Sequence, residues 1–196
     1  KLRSLAATFL SAQPEPPRVA IVSENSLDSA CCDLACLCHD IFVSPLNIHF
    51  SVENLVWIFD RLRLTVAVCD DPDRLDVLLQ VREKAARPST IYMLNRNRRV
   101  GEPGIHLLQE RVSRLDAAEV ARILDARPRR TLREVATVMF TSGSTGRPRP
   151  QPKHWSDLVG CARAAARSST DQTGEGGARP GEGKGLTRVR GAAAQS

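Results

Sequence analysis

The segment from Thr141 to Arg149, TSGSTGRPR, carries the side chains best suited to chemistry in this sequence. Its two glycines tolerate positive φ and carry no side chain, so successive backbone N–H groups can point into one concavity. The hydroxyls add donors, and Arg147 and Arg149 add positive charge. The residues that would line such a concavity are Thr141, Ser142, Gly143, Ser144, Thr145 and Gly146. This composition suits a polyphosphate, although the Walker A spacing is absent and a plain Ser/Gly turn is the alternative.

The elements around this loop must hold it in place. It follows the continuously apolar segment 135–141, which is typical of a buried strand. Further strands are predicted at 18–25, 41–46, 64–70 and 89–94, and helices at 26–40, 51–63, 72–85 and 116–128. This alternation predicts an α/β fold with a parallel sheet and helices on both faces. Ligands of such sheets bind beyond the carboxyl ends of the strands, where the loop lies.

The sequence changes character near residue 157, where glycine becomes frequent and large apolar residues disappear. We predict a domain over 1–156 and a disordered tail, rich in Gly, Arg and Ala, over 157–196. A native divergent tail and an out-of-frame translation both remain open as explanations. The first residues, KLRSLAATFL, are interpreted as the end of an amphipathic helix. Because the chain starts at Lys1 instead of Met, we expect it to be a fragment at this end.

Bulk composition narrows the classes of partner. The net charge of +6 is compatible with an anionic ligand or a nucleic-acid surface. Aromatic residues make up only 4% of the chain, which argues against a base-stacking platform, so no nucleic-acid partner is predicted. No segment approaches the roughly 20 apolar residues of a membrane span. The six cysteines lie mostly in apolar segments, which indicates reduced, buried thiols and a cytoplasmic location.

Two other clusters are weaker candidates for a site. The segment CCDLACLCH (31–39) has no distant partner pair for zinc, and positions 31, 34, 35 and 38 are predicted to form one buried helix face. The trio Asp70, Asp71 and Asp73 follows a strand, where helix capping explains it better than a bound cation. No residue is assigned as a metal ligand, and the scattered histidines lack a nucleophile motif.

The loop and its context together resemble a known family. An apolar strand with an aromatic residue, followed by T-S-G-S-T-G-x-P, is similar to the phosphate-binding loop of the adenylate-forming superfamily, which includes acyl-CoA synthetases, luciferases and peptide-synthetase adenylation domains. Upstream, DLACLCHDIFVSPLNIHFSVENLVWIFDRLRLTVAVCD (33–70) resembles the family's pattern of helix, strand, Pro-Leu-Asn-like turn, helix and strand. The resemblance covers roughly residues 18–150.

The resemblance implies a reaction and a set of ligands. Family members use Mg-ATP to convert a carboxylic acid, here expected to be a fatty acid, into an acyl-adenylate, and coenzyme A then displaces AMP. It implies ATP and Mg²⁺ as cofactors. It also implies that Thr141, the segment 142–146 and Arg149 cradle the β- and γ-phosphates.

The sequence departs from the family pattern in two ways. Arg149 replaces the family lysine and Pro150 replaces the following glycine, which removes a backbone donor. The family's downstream motifs for magnesium, adenine, ribose and the catalytic lysine are absent from 151–196. We therefore interpret the chain as the N-terminal part of an acyl-CoA synthetase that is inactive alone. The alternative is a catalytically dead remnant or interaction module with residual nucleotide binding.

Overall fold

The computed structural model of the protein describes residues 1–12, 15–126, 130–141 and 147–171. The chain divides into two units, Lys1–Val159 and Gly160–Ser196. The strands are β1 (Arg18–Val22), β2 (Phe42–Pro45), β3 (Val66–Cys69), β4 (Thr90–Met93), β5 (Ile105–Leu107), β6 (Val135–Thr141) and β7 (Arg149–His154). The helices are α1 (Leu2–Leu10), α2 (Leu27–Cys38), α3 (Val52–Leu62), α4 (Pro72–Lys84), α5 (Leu108–Ser113), α6 (Ala117–Asp125) and α7 (Trp155–Asp171).

The strands form one sheet in the order β5-β4-β3-β1-β2-β6-β7. Every neighbouring pair from β5 to β6 is parallel, as strands joined through crossover helices must be. The exception is β7, which pairs antiparallel with β6. The six parallel strands therefore end at one common edge of the sheet, and the β6–β7 connection leaves from that edge.

Two hydrophobic clusters cover the two faces of the sheet, as a doubly covered parallel sheet requires. Alternate residues of each strand enter different clusters: Ala20 and Val22 pack with α3 and α4, whereas Val19 and Ile21 pack with α1 and α2. The predicted α/β fold with helices on both faces is confirmed. Within the described residues, no helix combines the length and apolarity that a bilayer crossing needs.

The predicted strands and helices are present with small changes at their ends, and the N-terminal helix is α1. Four elements were not predicted. β5 and α5 lie in the segment after β4, for which the sequence analysis predicted no strand or helix before residue 116. β7 forms from the proline-containing sequence RPQPKH. α7 covers residues that were predicted to begin a disordered tail, because WSDLVGCARAAAR contains enough alanine to favour a helix. Residues 172–196 lie outside the described residues, so disorder there stays a prediction.

The buried face of α2 differs from the predicted one. Cys32, Ala35 and Cys36 are buried, whereas Leu34 is 49% exposed and Cys38 is also exposed. The prediction placed the face one residue too early because the run of small apolar residues is compatible with either rotation of the helix. The Ser26 capping box fixes where the helix begins.

Candidate functional site

The β6–β7 hairpin holds both ends of the predicted phosphate-binding loop. Thr141 is the last residue of β6 and pairs directly with Arg149, the first residue of β7. The chain therefore leaves the sheet and returns to it at the same point. Thr141 and Arg149 are exposed. Ser142, Gly143, Ser144, Thr145 and Gly146 lie outside the described residues, so their assignment to the phosphates stays a prediction.

Three aromatic rings support the strand where the loop begins. The ring of Phe140 lies edge-on to Phe50, with centroids 6.4 Å apart and an interplanar angle of 88°. It makes a second edge contact with Trp57 of α3, also at 6.4 Å. Such edge contacts stabilise the pair beyond simple burial. Phe50 and Trp57 were not predicted as site residues, and the only signal was their position after a strand that runs beside β6.

A buried hydroxyl ties β6 to the rest of the sheet. Ser44 of β2 is fully buried, and its Oγ donates to the backbone oxygen of Val138 at 2.6 Å. The backbone register between the two strands is otherwise limited to the pair Val43 and Thr137. A serine inside an apolar strand thus adds a hydrogen bond close to the loop, and the sequence prediction did not single it out.

Two arginines carry positive charge at the end of the hairpin where β7 begins. Arg147 and Arg149 are both exposed. Over the described ranges, neither guanidinium makes an ion pair with a carboxylate. Lys153 pairs with Thr137 and lies four residues after Arg149 along β7. At the usual strand rise this separates Lys153 from Arg149 by about 13 Å. Lys153 is therefore badly placed to replace the family lysine, and Arg149 occupies the position that corresponds to it in the sequence.

The carboxyl ends of β1 and β3 meet where the strand order reverses, and this place is filled by an ion network. Arg74 lies 2.9 Å from Asp70 and 3.0 Å from Glu24, and it also contacts Asp71. Asp71 caps α4 by accepting from the backbone N–H of Arg74. The capping interpretation of this aspartate cluster is confirmed for Asp71. With one guanidinium against three carboxylates, the network carries a net negative charge and offers little to an anionic ligand.

The remaining candidates occupy ordinary structural positions. Nδ1 of His154 donates to the backbone oxygen of Arg133 at 2.7 Å, which holds the start of α7 near the loop before β6. Cys32 and Cys36 lie in the core under α2. In the part of the chain that the structure describes, no three His, Cys, Asp or Glu side chains are grouped closely enough to hold a metal ion.

Comparisons with known proteins agree with this architecture. The family model described as AMP-binding enzyme matches residues 1–166. Long-chain-fatty-acid–CoA ligase 5 of Rattus norvegicus is 24% identical over 139 residues, which is 67% of this chain and 20% of the relative. The chain thus spans about a fifth of the length of that curated relative.

Solved structures show the same fold. An amide bond synthetase, McbA from Marinactinospora thermotolerans, superposes with a TM-score of 0.59 and 21% identity, covering 84% of this chain and 31% of that one. ATP-bound MatB from Rhodopseudomonas palustris gives a TM-score of 0.61 and 18% identity, covering 85% and 31%. With a family match over residues 1–166 and this shared fold, the chain belongs to the AMP-binding enzyme family.

Proposed function

We propose that this chain forms the amino-terminal, phosphate-holding part of an ATP-dependent acyl-CoA synthetase that activates a carboxylic acid of the fatty-acid class. The observation that carries the proposal is the β6–β7 hairpin, whose paired ends Thr141 and Arg149 enclose a hydroxyl- and glycine-rich loop. Thr141 and Arg149 lie at the carboxyl edge of a parallel sheet, where such folds bind ligands. The similarity to a long-chain-fatty-acid–CoA ligase supports the substrate class.

The residues present fit an anionic polyphosphate. The exposed hydroxyl of Thr141 and the guanidiniums of Arg147 and Arg149 carry donors without a carboxylate partner in the described ranges. In the proposed reaction ATP supplies an α-phosphate that the substrate carboxylate attacks, with pyrophosphate as the leaving group. These residues would hold the β- and γ-phosphates in line and stabilise the charge that develops on the leaving group.

Magnesium would enter with ATP. Mg²⁺ in phosphoryl-transfer sites is usually held by one or two carboxylates together with the substrate phosphates. The described residues at the hairpin offer hydroxyls and guanidiniums instead of carboxylates, so we assign no magnesium ligand to this chain. The sites for adenine, ribose, coenzyme A and the acyl group would be completed by sequence beyond the span matched here. A cytoplasmic location stays a prediction.

A catalytically inactive nucleotide-binding remnant is the second candidate, and the β7 sequence favours it. Arg149 and Pro150 stand where the family has lysine and glycine. Pro150 lies opposite Phe140 in the hairpin and has no N–H to offer a phosphate. Under this alternative the chain binds nucleotide weakly and supports no adenylation in any longer context.

Calorimetric titration of MgATP into the 196-residue chain tests phosphate binding at the hairpin. We expect saturable binding that Arg149→Ala weakens about tenfold, as loss of one charge-assisted hydrogen bond should. Arg122→Ala is the matched control, because Arg122 is an exposed arginine on α6. Equal losses in both variants, or equal binding of heparin and loss of all binding at high salt, would indicate a non-specific polyanion surface instead.

Acid-dependent ATP–pyrophosphate exchange separates the two candidates at the level of catalysis. We expect no exchange from this chain alone, because adenylation needs groups that its sequence lacks. Exchange should appear when the chain is joined to a carboxyl-terminal part of a homologous ligase, and Arg149→Lys should retain it. A joined protein that binds MgATP but never exchanges pyrophosphate would favour the inactive remnant.

A further inference from the structure

A small cavity far from the β6–β7 hairpin has two arginine side chains in its wall. It lies beside α1, β4, β5 and α5, has a volume of about 160 Å³ and includes Tyr92, His106, Arg111 and Arg114 in its wall. β4 and β6 are separated by four strand spacings, or about 19 Å. The cavity is therefore distinct from the proposed ATP site.

Among the described residues, the two arginines of this cavity lack the carboxylate partners that several other arginines have. Arg74, Arg99 and Arg130 each bond at least one carboxylate. Within the described residues, neither Arg111 nor Arg114 makes an ion pair, and the cavity wall contains no Asp or Glu. Two guanidiniums facing one small space repel each other unless an anion lies between them.

Two neighbouring rings, those of His106 and Tyr92, also line the same space. Nη2 of Arg111 lies 3.3 Å from Nε2 of His106. A guanidinium can only donate, so Nε2 accepts and the imidazole is neutral. Burial, followed by the charges of Arg111 and Arg114, lowers the pKa of His106. The hydroxyl of Tyr92 makes no hydrogen bond to any described residue, although the residue is only 2% exposed. It is therefore free to donate into the cavity.

We propose that this cavity binds a tetrahedral oxyanion: a free phosphate-like ion or the phosphate group of a small monoester. Two guanidiniums and the Tyr92 hydroxyl supply more donors than the two oxygens of a carboxylate can use. The volume is well below the roughly 300 Å³ of a typical small-molecule pocket, so the occupant is small or enters by one end only. Thr8 and Ser11 close the wall from α1 without adding charge, because their hydroxyls donate to backbone oxygens of that helix.

Anion binding should be linked to proton uptake. The anion stabilises the charged form of His106, so its pKa rises from the lowered value of the free protein. Affinity then increases as pH falls through the interval between the two pKa values. The groups facing His106 from the surrounding elements are Tyr92, Thr90, Arg111 and Arg114, none of them acidic. Sulfate is the appropriate probe, since its own charge does not change near neutral pH.

NMR titration of the histidine ring protons tests the proposal on the full 196-residue chain. Spectra are compared in sodium sulfate and in sodium chloride at equal ionic strength. We expect the pKa of His106 to be higher in sulfate, while His49 and His154, which lie elsewhere, serve as internal controls. Sulfate affinity should fall about tenfold or more in Arg111→Gln and in Arg114→Gln. Arg122→Gln, at an exposed α6 position, should leave it unchanged.

Two results with sulfate would each overturn the proposal. One is an identical pKa of His106 in the two salts. The other is unchanged sulfate affinity in a folded Arg114→Gln protein, which matters because Arg114 is exposed and its replacement should spare the fold. A stronger response to acetate than to sulfate would also overturn it. Tighter binding of glycerol phosphate than of inorganic phosphate identifies a monoester as the ligand, and the reverse order identifies the free ion.

Discussion

Burial divides the cysteines into two chemical classes. It raises the pKa of the Cys32 thiol to about 12, it raises that of Cys69 to about 12, and it raises that of Cys36 well above its usual value. The sequence predicted that the cysteines are mostly buried: three of the six are buried, Cys31 is half-buried, and Cys38 and Cys161 are exposed. The reason for Cys38 is the rotation of α2, which turns that side chain outwards.

Alkylation of the native protein should separate these two classes. With iodoacetamide at about pH 8, Cys38 and Cys161 should react first, because the thiolate fraction of a thiol with a pKa near 12 is only roughly one in ten thousand. Mass spectrometry of the peptides measures the order, and denaturant should make all cysteines react. Equal rates for Cys36 and Cys38 in the folded protein would show that α2 opens readily.

At the scale of elements, the backbone pairing between β2 and β6 involves few residues, although β6 positions the predicted binding loop. Its backbone pairing is centred on Val43 and Thr137. The buried Oγ of Ser44 adds a bond to the Val138 oxygen at 2.6 Å. Removing the hydroxyl would leave that buried oxygen unpaired, which typically costs more than the net value of the bond. The serine hydroxyl is thus part of what fixes β6.

Ser44→Ala should lower the free energy of unfolding by about 1–3 kcal/mol, the usual cost of an unsatisfied buried group. Urea unfolding followed by circular dichroism measures this change. Ser113→Ala is a matched control, because the Ser113 hydroxyl bonds Gln109 on an exposed helix surface and its loss should change stability by less than about 0.5 kcal/mol. Equal effects of the two substitutions would mean that the buried Ser44 bond stabilises the fold no more than an exposed one does.

The elements that could be predicted are those whose own sequence specifies them. β1 and β3 are continuous apolar runs, and α3 and α4 begin at Ser51 and Asp71, which both act as caps in the structure. β5 has three residues and depends on β4 for its backbone partners, so no local pattern reveals it. β7 exists because β6 pairs with it, against the preference of its prolines.

The residues of the candidate site also divide into those that the sequence could predict and those that it could not. The loop's composition predicts Thr141 and Arg149 as site residues from sequence alone, since donors and charge are properties of residue types. Phe50, Trp57 and Ser44 approach β6 only through the strand order, which brings β2 beside a strand about ninety positions later in the chain. Such long-range neighbours have no local signature that one sequence can show.

At the scale of the whole molecule, both edges of the sheet resist pairing with another chain. β5 forms one edge and is only three residues long. β7 forms the other, and its sequence places Pro150 and Pro152 on either side of Gln151. Alternate residues of an edge strand point their N–H groups away from the sheet. Proline has no N–H, so the two prolines at alternate positions leave that outer edge without donors there.

The double variant Pro150→Thr/Pro152→Thr should therefore self-associate more than the natural chain. Threonine suits a strand and restores two outward N–H groups, which gives a second chain a row of backbone partners. Size-exclusion chromatography with light scattering, over a range of protein concentrations, measures the mass. Gln151→Thr is the control, because it adds a strand-forming side chain without adding an edge donor. If the control associates as strongly as the double variant, side-chain chemistry controls the edge. If neither associates, the exposed charges of β7 must protect the edge instead of the prolines.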